Sequence, residues 1–173
     1  FKNAYNPVLH LKNHALGLPV IPFDLELHGN NRLLILSGPN AGGKSVVLKT
    51  VGLLQLMLQT GMLVTCDENS KFGIFNKIFV DIGDQQSMED DLSTYSSHLH
   101  NMKVTTEKAE KSSLILIDEF GAGTEPKIGG AIAEAILKEI NHKKVFGVIT
   151  THYSNLKFFA FKEHGLVNGS MEF

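Results

Sequence analysis

The chain has 173 residues, of which 43% are hydrophobic and 20% charged, and its formal net charge is −2. This length can bury one full core, and no apolar run reaches the ~20 residues of a membrane span, so no membrane partner is expected. The nearly equal numbers of acidic and basic residues exclude a domain-wide basic surface that would bind a nucleic-acid backbone. The single cysteine, Cys66, can form no internal disulfide, which favours a reducing, cytoplasmic setting.

The first predicted elements surround a glycine-rich segment. Residues 1–32 contain three prolines and short alternating stretches, which predict an antiparallel edge with loops. The apolar run 33–37 predicts a strand buried on both faces. The helix predicted next, over residues 44–60, has an apolar stripe and a capping glycine at Gly61. The stripe comprises Val47, Val51, Leu54 and Leu58.

Strands and helices then alternate to the end of the chain. Further strands are predicted at 76–83, 112–119 and 144–153, with helices at about 94–110 and 126–141. The buried stripe predicted for the second helix comprises Ile128, Ala131, Ile132, Ala135, Ile136 and Ile140. This order predicts a single α/β domain over residues 1–173, with a mostly parallel sheet flanked by helices and its ligands beyond the carboxyl ends of the strands.

The segment "SGPNAGGKS" (37–45) matches the P-loop pattern Gly38-x-x-x-x-Gly43-Lys44-Ser45, with a strand before it and a helix after it. In such a loop backbone N–H groups surround the phosphates of a nucleotide, the lysine reaches the outer phosphates and the hydroxyl binds Mg²⁺. The predicted nucleotide-binding residues are Gly38, Pro39, Asn40, Ala41, Gly42, Gly43, Lys44, Ser45 and Val46. Asn40 either reaches the terminal phosphate or attacking water, or only tolerates a turn conformation.

An acidic pair follows the apolar run "LILI" (114–117). Asp118 is predicted to hold Mg²⁺ through water, and Glu119, which points the other way, to take a proton from the attacking water. The alternative is an acidic strand end that is merely solvated. His152, in "TTHY" (150–153), either donates to the γ-phosphate or is a turn histidine without a role.

"LSTYSSH" (92–98) places Ser93 and Thr94 at a predicted helix start. They either cap their own helix or present its N-terminus to the γ-phosphate of a second subunit.

These motifs, in this order, resemble the ATPase domain of the MutS family, within the ABC-type ATPases. The sequence around "GDQQ" (83–86) and "FGAGTEP" (120–126) is similar to sequences of the MutS-II branch. The resemblance implies a homodimer that hydrolyses ATP with Mg²⁺, in which Lys44, Glu119 and His152 act in catalysis. It also implies that Ser93 and Thr94 complete the partner's site and that Val20 and Ile21 pack against adenine, although they could instead be plain core.

The resemblance also implies what the wider protein does. The DNA-contacting domains of the family are not in this sequence, so the chain is expected to be an excised domain of a larger protein that reaches branched or mismatched DNA, or a ribosome, through other parts. Rival interpretations are the ATPase of a transporter or chromosome-structural protein and a nucleotide-gated module that does not hydrolyse ATP. A small-molecule kinase is disfavoured, because nothing resembles a lid for an acceptor.

Overall fold

The computed structural model describes residues 1–39, 42–83, 91–122 and 125–171, without the side chains of residues 91–95 and 126. The elements are α1 (Pro7–His14), β1 (Asn31–Ser37), α2 (Lys44–Gln59), β2 (Lys77–Asp81), α3 (Asp91–Lys108), β3 (Ser113–Ile117), α4 (Pro126–His142), β4 (Phe146–Thr150), α5 (Ser154–Lys162) and β5 (Gly165–Ser170). Within the described residues, no helix is both long and apolar enough to span a membrane.

The five strands form one parallel sheet in the order β2-β3-β4-β1-β5. The α/β class, the four strands β1 to β4 and the helices α2, α3 and α4 are therefore confirmed. Helices α1 and α5 and strand β5 were not predicted from the sequence. The sequence of β5, GLVNGS, has two glycines and an asparagine and little strand propensity of its own. Its pairing with β1 along six residues makes it a strand.

The chain divides into two compact units, and the prediction of a single domain stays a prediction. The smaller unit comprises residues 1–26 and 46–74, and the sheet unit comprises residues 27–45 and 75–173. In the smaller unit, antiparallel pairing occurs as an isolated bridge between Ala4 and Phe23. Helix α1 begins after Asn6, whose Oδ1 accepts the N–H groups of Val8 and Leu9 at 3.0 Å each. This cap explains why a helix forms in a segment predicted as loops.

Helix α2 follows its predicted pattern. Val47, Val51 and Leu54 are buried, and Leu58 is half-buried. The helix ends as predicted at Gly61, where φ is +79°, and the Met62 N–H donates to Met57 O at 2.8 Å. This pair of features is a Schellman motif, in which a left-handed residue lets the chain turn back and satisfy a terminal carbonyl.

The core of the sheet unit surrounds β3, which is buried along its whole length. The predicted stripe on α4 is wrong in most of its positions: Ile128 is 56% exposed and Ile132 36% exposed. Ile140 is the one residue of the predicted stripe that is fully buried, and the other buried apolar side chains of α4 in the described structure are Ala133 and Leu137. Because α4 is apolar on more than one face, periodicity indicated a helix but not which face meets the sheet.

Candidate functional site

Three neighbouring strands bring the predicted site residues to one edge of the sheet. β4 pairs with β1 on one side and with β3 on the other, so the carboxyl end of β4 lies between the glycine loop and the acidic pair. The Thr151 N–H donates to Leu36 O at 3.1 Å, and the Phe120 N–H donates to Thr150 O at 2.8 Å. These two bonds continue the sheet into the loops that carry the site.

Glycines set the path of the loop after β1. Gly38 has φ of +132° and Gly43 has φ of +83°, conformations that side chains rarely adopt. The Gly42 N–H donates to Pro39 O at 3.1 Å and closes a turn, after which α2 begins at Lys44. Asn40 and Ala41 lie outside the described residues. Glycine is therefore needed at Gly38 and Gly43 because of the backbone conformation. It also leaves room for a ligand to approach the backbone closely.

Lys44 is 2% exposed, and its Nζ donates to the carbonyl oxygen of Gly38 within the same loop. Burial lowers the pKa of this ammonium, while the negative charges of Asp118 and Glu119 oppose that effect. Lys157 on α5 adds a smaller lowering. Lys44 thus interacts electrostatically with both acidic residues that the sequence analysis selected.

Asp118 and Glu119 are joined through a threonine that the sequence analysis did not select. Asp118 is 8% exposed, and its Oδ1 accepts a hydrogen bond from Thr150 Oγ1 at 2.5 Å. The same Oγ1 accepts the Glu119 N–H at 2.8 Å. The pair of hydroxyls in "TTHY" was the available signal, but the strand order that places Thr150 beside Asp118 was not predictable from it.

Glu119 has a left-handed backbone, with φ of +49°. A glutamate in this region is strained, and such strain is often found at functional sites. The next residue, Phe120, is fully buried, so the turn directs the half-buried Glu119 away from the core. Among the described residues none donates a hydrogen bond to the Glu119 carboxylate, which leaves both oxygens available as acceptors.

The segment after β4 is bound to the segment after β3. Thr151 Oγ1 donates to Phe120 O at 3.1 Å, and Tyr153 Oη donates to Gly121 O at 2.9 Å. His152 lies between these two anchors and is exposed at the carboxyl end of β4. The position of His152 fits the predicted contact with a terminal phosphate, and the role itself stays a prediction.

The serine and threonine of α3 occupy its first turn. α3 begins at Asp91, so Ser93 and Thr94 lie inside the helix, and their side chains are outside the described part of the structure. Farther along, Asp81 at the end of β2 binds this helix. Its carboxylate lies 2.8 Å from His98 Nδ1 and 2.9 Å from Asn101 Nδ2. These contacts hold α3 against β2 and were not predicted from the sequence.

The residues predicted at adenine belong to the smaller unit. Val20 is half-buried, and Ile21 is 86% exposed, so Ile21 is not a core residue. Val46, which was predicted to bind the nucleotide, is also exposed and belongs to the smaller unit. The contact of Val20 and Ile21 with adenine stays a prediction. Met171, just after β5, lies next to the glycine loop and was not predicted as a site residue. Its N–H donates to Ser37 O at 3.3 Å. Its Cβ lies 3.7 Å from the position that a Cβ on Gly38 would occupy.

The oxygen atoms at this edge suit a magnesium ion. Mg²⁺ prefers oxygen ligands and is commonly held by one or two protein groups together with phosphate oxygens. Ser45 offers a hydroxyl in the first turn of α2, and Asp118 offers Oδ2, which accepts no hydrogen bond from the described residues. The residues present therefore fit the ion that the motif implies.

The glycine loop between a parallel strand and a helix, with an acidic pair on a neighbouring strand, defines the P-loop class of α/β domains. Residues 34–173 match the family model for MutS domain V, and the chain belongs to the MutS family.

Relatives agree with this assignment. The chain is 47% identical over its whole length to "Endonuclease MutS2" of Finegoldia magna, and 49% identical over 97% of its length to the protein of the same name from Thermomicrobium roseum. It is 44% identical to that of Carboxydothermus hydrogenoformans over its whole length. The chain covers 21%, 22% and 21% of these relatives, about a fifth of their length.

Proposed function

We propose that this chain binds and hydrolyses Mg-ATP as the ATPase domain of a protein of the MutS-II branch. The observation that carries the proposal is the Thr150 hydroxyl, which joins the Asp118 carboxylate to the Glu119 backbone in a site shared with the buried Lys44. The family assignment supports MutS-type chemistry over a transporter, and the MutS2 names of the relatives support the branch.

The roles follow from charge and position. N–H groups of the loop and the Lys44 ammonium hold the β- and γ-phosphates, while Ser45 and Asp118 hold Mg²⁺. A bound Mg²⁺ supplies charge stabilisation at the phosphate oxygens. Glu119 accepts a proton from water as the water oxygen bonds to the γ-phosphorus and the bond from that phosphorus to the bridging oxygen breaks, which releases ADP and phosphate. His152 donates to an oxygen of the γ-phosphate.

We also propose that the chain forms a homodimer, with ATP bound between its two copies. Ser93 and Thr94 of each copy face the γ-phosphate held by the other copy, since a helix N-terminus favours anions. The wider protein acts in the cytoplasm on branched or mismatched DNA, or on ribosomes, through parts outside this chain.

Steady-state phosphate release tests the central claim. Glu119→Gln is expected to lower turnover by at least ~100-fold, the usual range for a general base, while ATP binding is retained. Glu139→Gln is the matched control, because Glu139 is exposed on α4 and plays no part in the site. Wild-type turnover in Glu119→Gln would rule out the base. ATP binding without release in the wild type would favour the nucleotide-gated module instead.

Two further measurements test the remaining assignments. Lys44→Met is expected to abolish ATP binding, and sizing with Mg-ATP is expected to show a dimer that accumulates in Glu119→Gln. Mixing Ser93→Ala with Lys44→Met tests the trans role. Mixed dimers are expected to retain one complete site, whereas a cis role for Ser93 predicts that both sites are lost.

A further inference from the structure

A second polar groove lies at the opposite end of the sheet from the P-loop. It opens where β1 begins at Asn31 and β5 begins at Gly165, and its volume is about 600 Å³. The side chains that matter here are Asn30, Arg32, His142, Lys144, Glu163 and His164. The function proposed above uses none of them.

Arg32, the single arginine of the chain, lines the groove. Its Nη1 donates to Gly29 O at 2.5 Å and its Nη2 to Asn141 Oδ1 at 3.0 Å, both neutral acceptors. Its Nε is buried and has no hydrogen-bond partner in the described part of the chain. No carboxylate of the described residues pairs with this guanidinium, although Glu163 lines the same groove. A half-buried cation without a counter-charge is costly, and an anion would offset that cost.

Hydrogen bonds hold the backbone that carries the other donor side chains of the groove. The buried Asn141 donates from Nδ2 to His164 O at 2.9 Å, which ties the end of α4 to the start of β5. The Lys144 N–H donates to Asn141 O at 3.0 Å and holds Lys144 at φ of +56°. Lys144 and His164 are both exposed, and they line the same groove as Arg32 with an ammonium and an imidazole.

The end of α4 does not cancel this positive field. Carbonyls at a helix C-terminus carry partial negative charge, which disfavours anions. Here the carbonyls of Glu139, Ile140 and Asn141 accept N–H groups from Lys143 and Lys144, so their charge is partly satisfied. Arg32 and Lys144 outnumber Glu163, and His142 and His164 add ring N–H donors.

We propose that this groove binds a phosphate group. Phosphate oxygens accept hydrogen bonds from guanidinium, ammonium and imidazole donors, and the groove presents all three kinds around one opening. The phosphate comes either from a free ion or small ester or from the backbone of a nucleic acid, and the same donors serve both sources.

The test uses ¹⁵N-labelled chain carrying Lys44→Met, so that the P-loop does not compete for phosphate. Inorganic phosphate is titrated at constant ionic strength, with chloride as the balancing anion. Amide signals of His142, Lys144, His164 and Gly165 are expected to shift and saturate together. Lys144→Asn, which suits a left-handed backbone, is expected to weaken binding on the order of tenfold, the effect of losing one charged hydrogen bond.

Lys103→Gln is the matched control, because Lys103 is an exposed cation in the middle of α3. It is expected to change the affinity less than about twofold, as for surface charges in general. His164→Gln serves as a second variant should Lys144→Asn fail to fold, and it is also expected to weaken binding.

A second titration separates the two sources. A single-stranded oligonucleotide without terminal phosphates offers phosphodiesters only. Shifts of the groove signals with the oligonucleotide alone assign a nucleic-acid backbone, and shifts with inorganic phosphate alone assign a small ligand; either outcome supports a phosphate site. The proposal is overturned if neither titrant moves these signals, or if Lys103→Gln weakens binding as much as Lys144→Asn does.

Discussion

Thr150 Oγ1 lies 2.5 Å from Asp118 Oδ1, and this hydroxyl is the contact by which β4 orients the acidic end of β3. It donates to the Asp118 carboxylate and accepts the Glu119 N–H at 2.8 Å, so one side chain contacts both members of the acidic pair. Thr150 is itself fully buried. Loss of its oxygen would leave a buried carboxylate and a partly buried N–H each short of a partner.

Replacement of Thr150 by valine keeps the shape of the side chain and removes the hydroxyl. We expect Thr150→Val to lower the free energy of unfolding by about 1–3 kcal/mol, because buried polar groups lose partners. Phosphate release is expected to fall on the order of tenfold through misplacement of Asp118 and Glu119. Thr150→Ser, which keeps the hydroxyl, is expected to retain most of the activity. Equal activity of the valine and serine variants would show that the hydroxyl does not orient the pair.

Because Glu119 has a left-handed backbone, we expect its replacement to increase the stability of the fold and to abolish activity. Asparagine adopts positive φ more readily than glutamate, so Glu119→Asn is expected to raise the free energy of unfolding by about 0.5–1 kcal/mol while hydrolysis is lost. Chemical denaturation measures the first effect and phosphate release the second. Glu163→Asn is the control, because Glu163 has an extended backbone with φ of −100° and no such strain. A decrease in stability for Glu119→Asn would contradict the strain argument.

Alanine substitutions at three glycines distinguish the cost of a positive φ from the cost of a steric clash with the added Cβ. At Gly121, φ is +89° and an added Cβ would lie 2.7 Å from Tyr153 Cε2, so Gly121→Ala is expected to destabilise by roughly 2–4 kcal/mol. At Gly61, φ is +79° with open space, and about 1 kcal/mol is expected. Gly29→Ala has open space without a positive φ and should be neutral. Thermal unfolding of the three variants would contradict this order if Gly121→Ala cost no more than Gly61→Ala.

Helix α4 carries one aliphatic residue that is buried and one that is exposed, Leu137 and Ile128, which can be compared directly. Leu137 is fully buried, and Leu137→Ala is expected to cost about 2–5 kcal/mol through the cavity it leaves. Ile128 lies on an exposed face, and Ile128→Ala should stay within ~0.5 kcal/mol of the wild type. Chemical denaturation gives both values from the midpoints, provided that the variants unfold with the same dependence on denaturant concentration. A large loss of stability for Ile128→Ala would show that Ile128 is buried, as periodicity predicted.

Much of the site was predictable because its chemistry is local in the chain. The P-loop needs residues 38–45 in succession, and the acidic pair directly follows a buried strand, so pattern and spacing were sufficient to select Lys44, Asp118 and Glu119. The alternation of strands and helices likewise predicted a parallel α/β sheet, because the period of apolar residues reports on secondary structure.

By itself, then, the sequence determined the P-loop, the acidic pair, the alternating elements and the family they resemble. Tertiary structure decided that Thr150 joins Asp118 to Glu119, that α4 buries Leu137 rather than Ile128, and that Arg32 meets Asn141 across 109 residues of chain. The reason is physical: local propensity acts over a few residues, whereas these contacts depend on which strands become neighbours, and burial of the whole core decides that order.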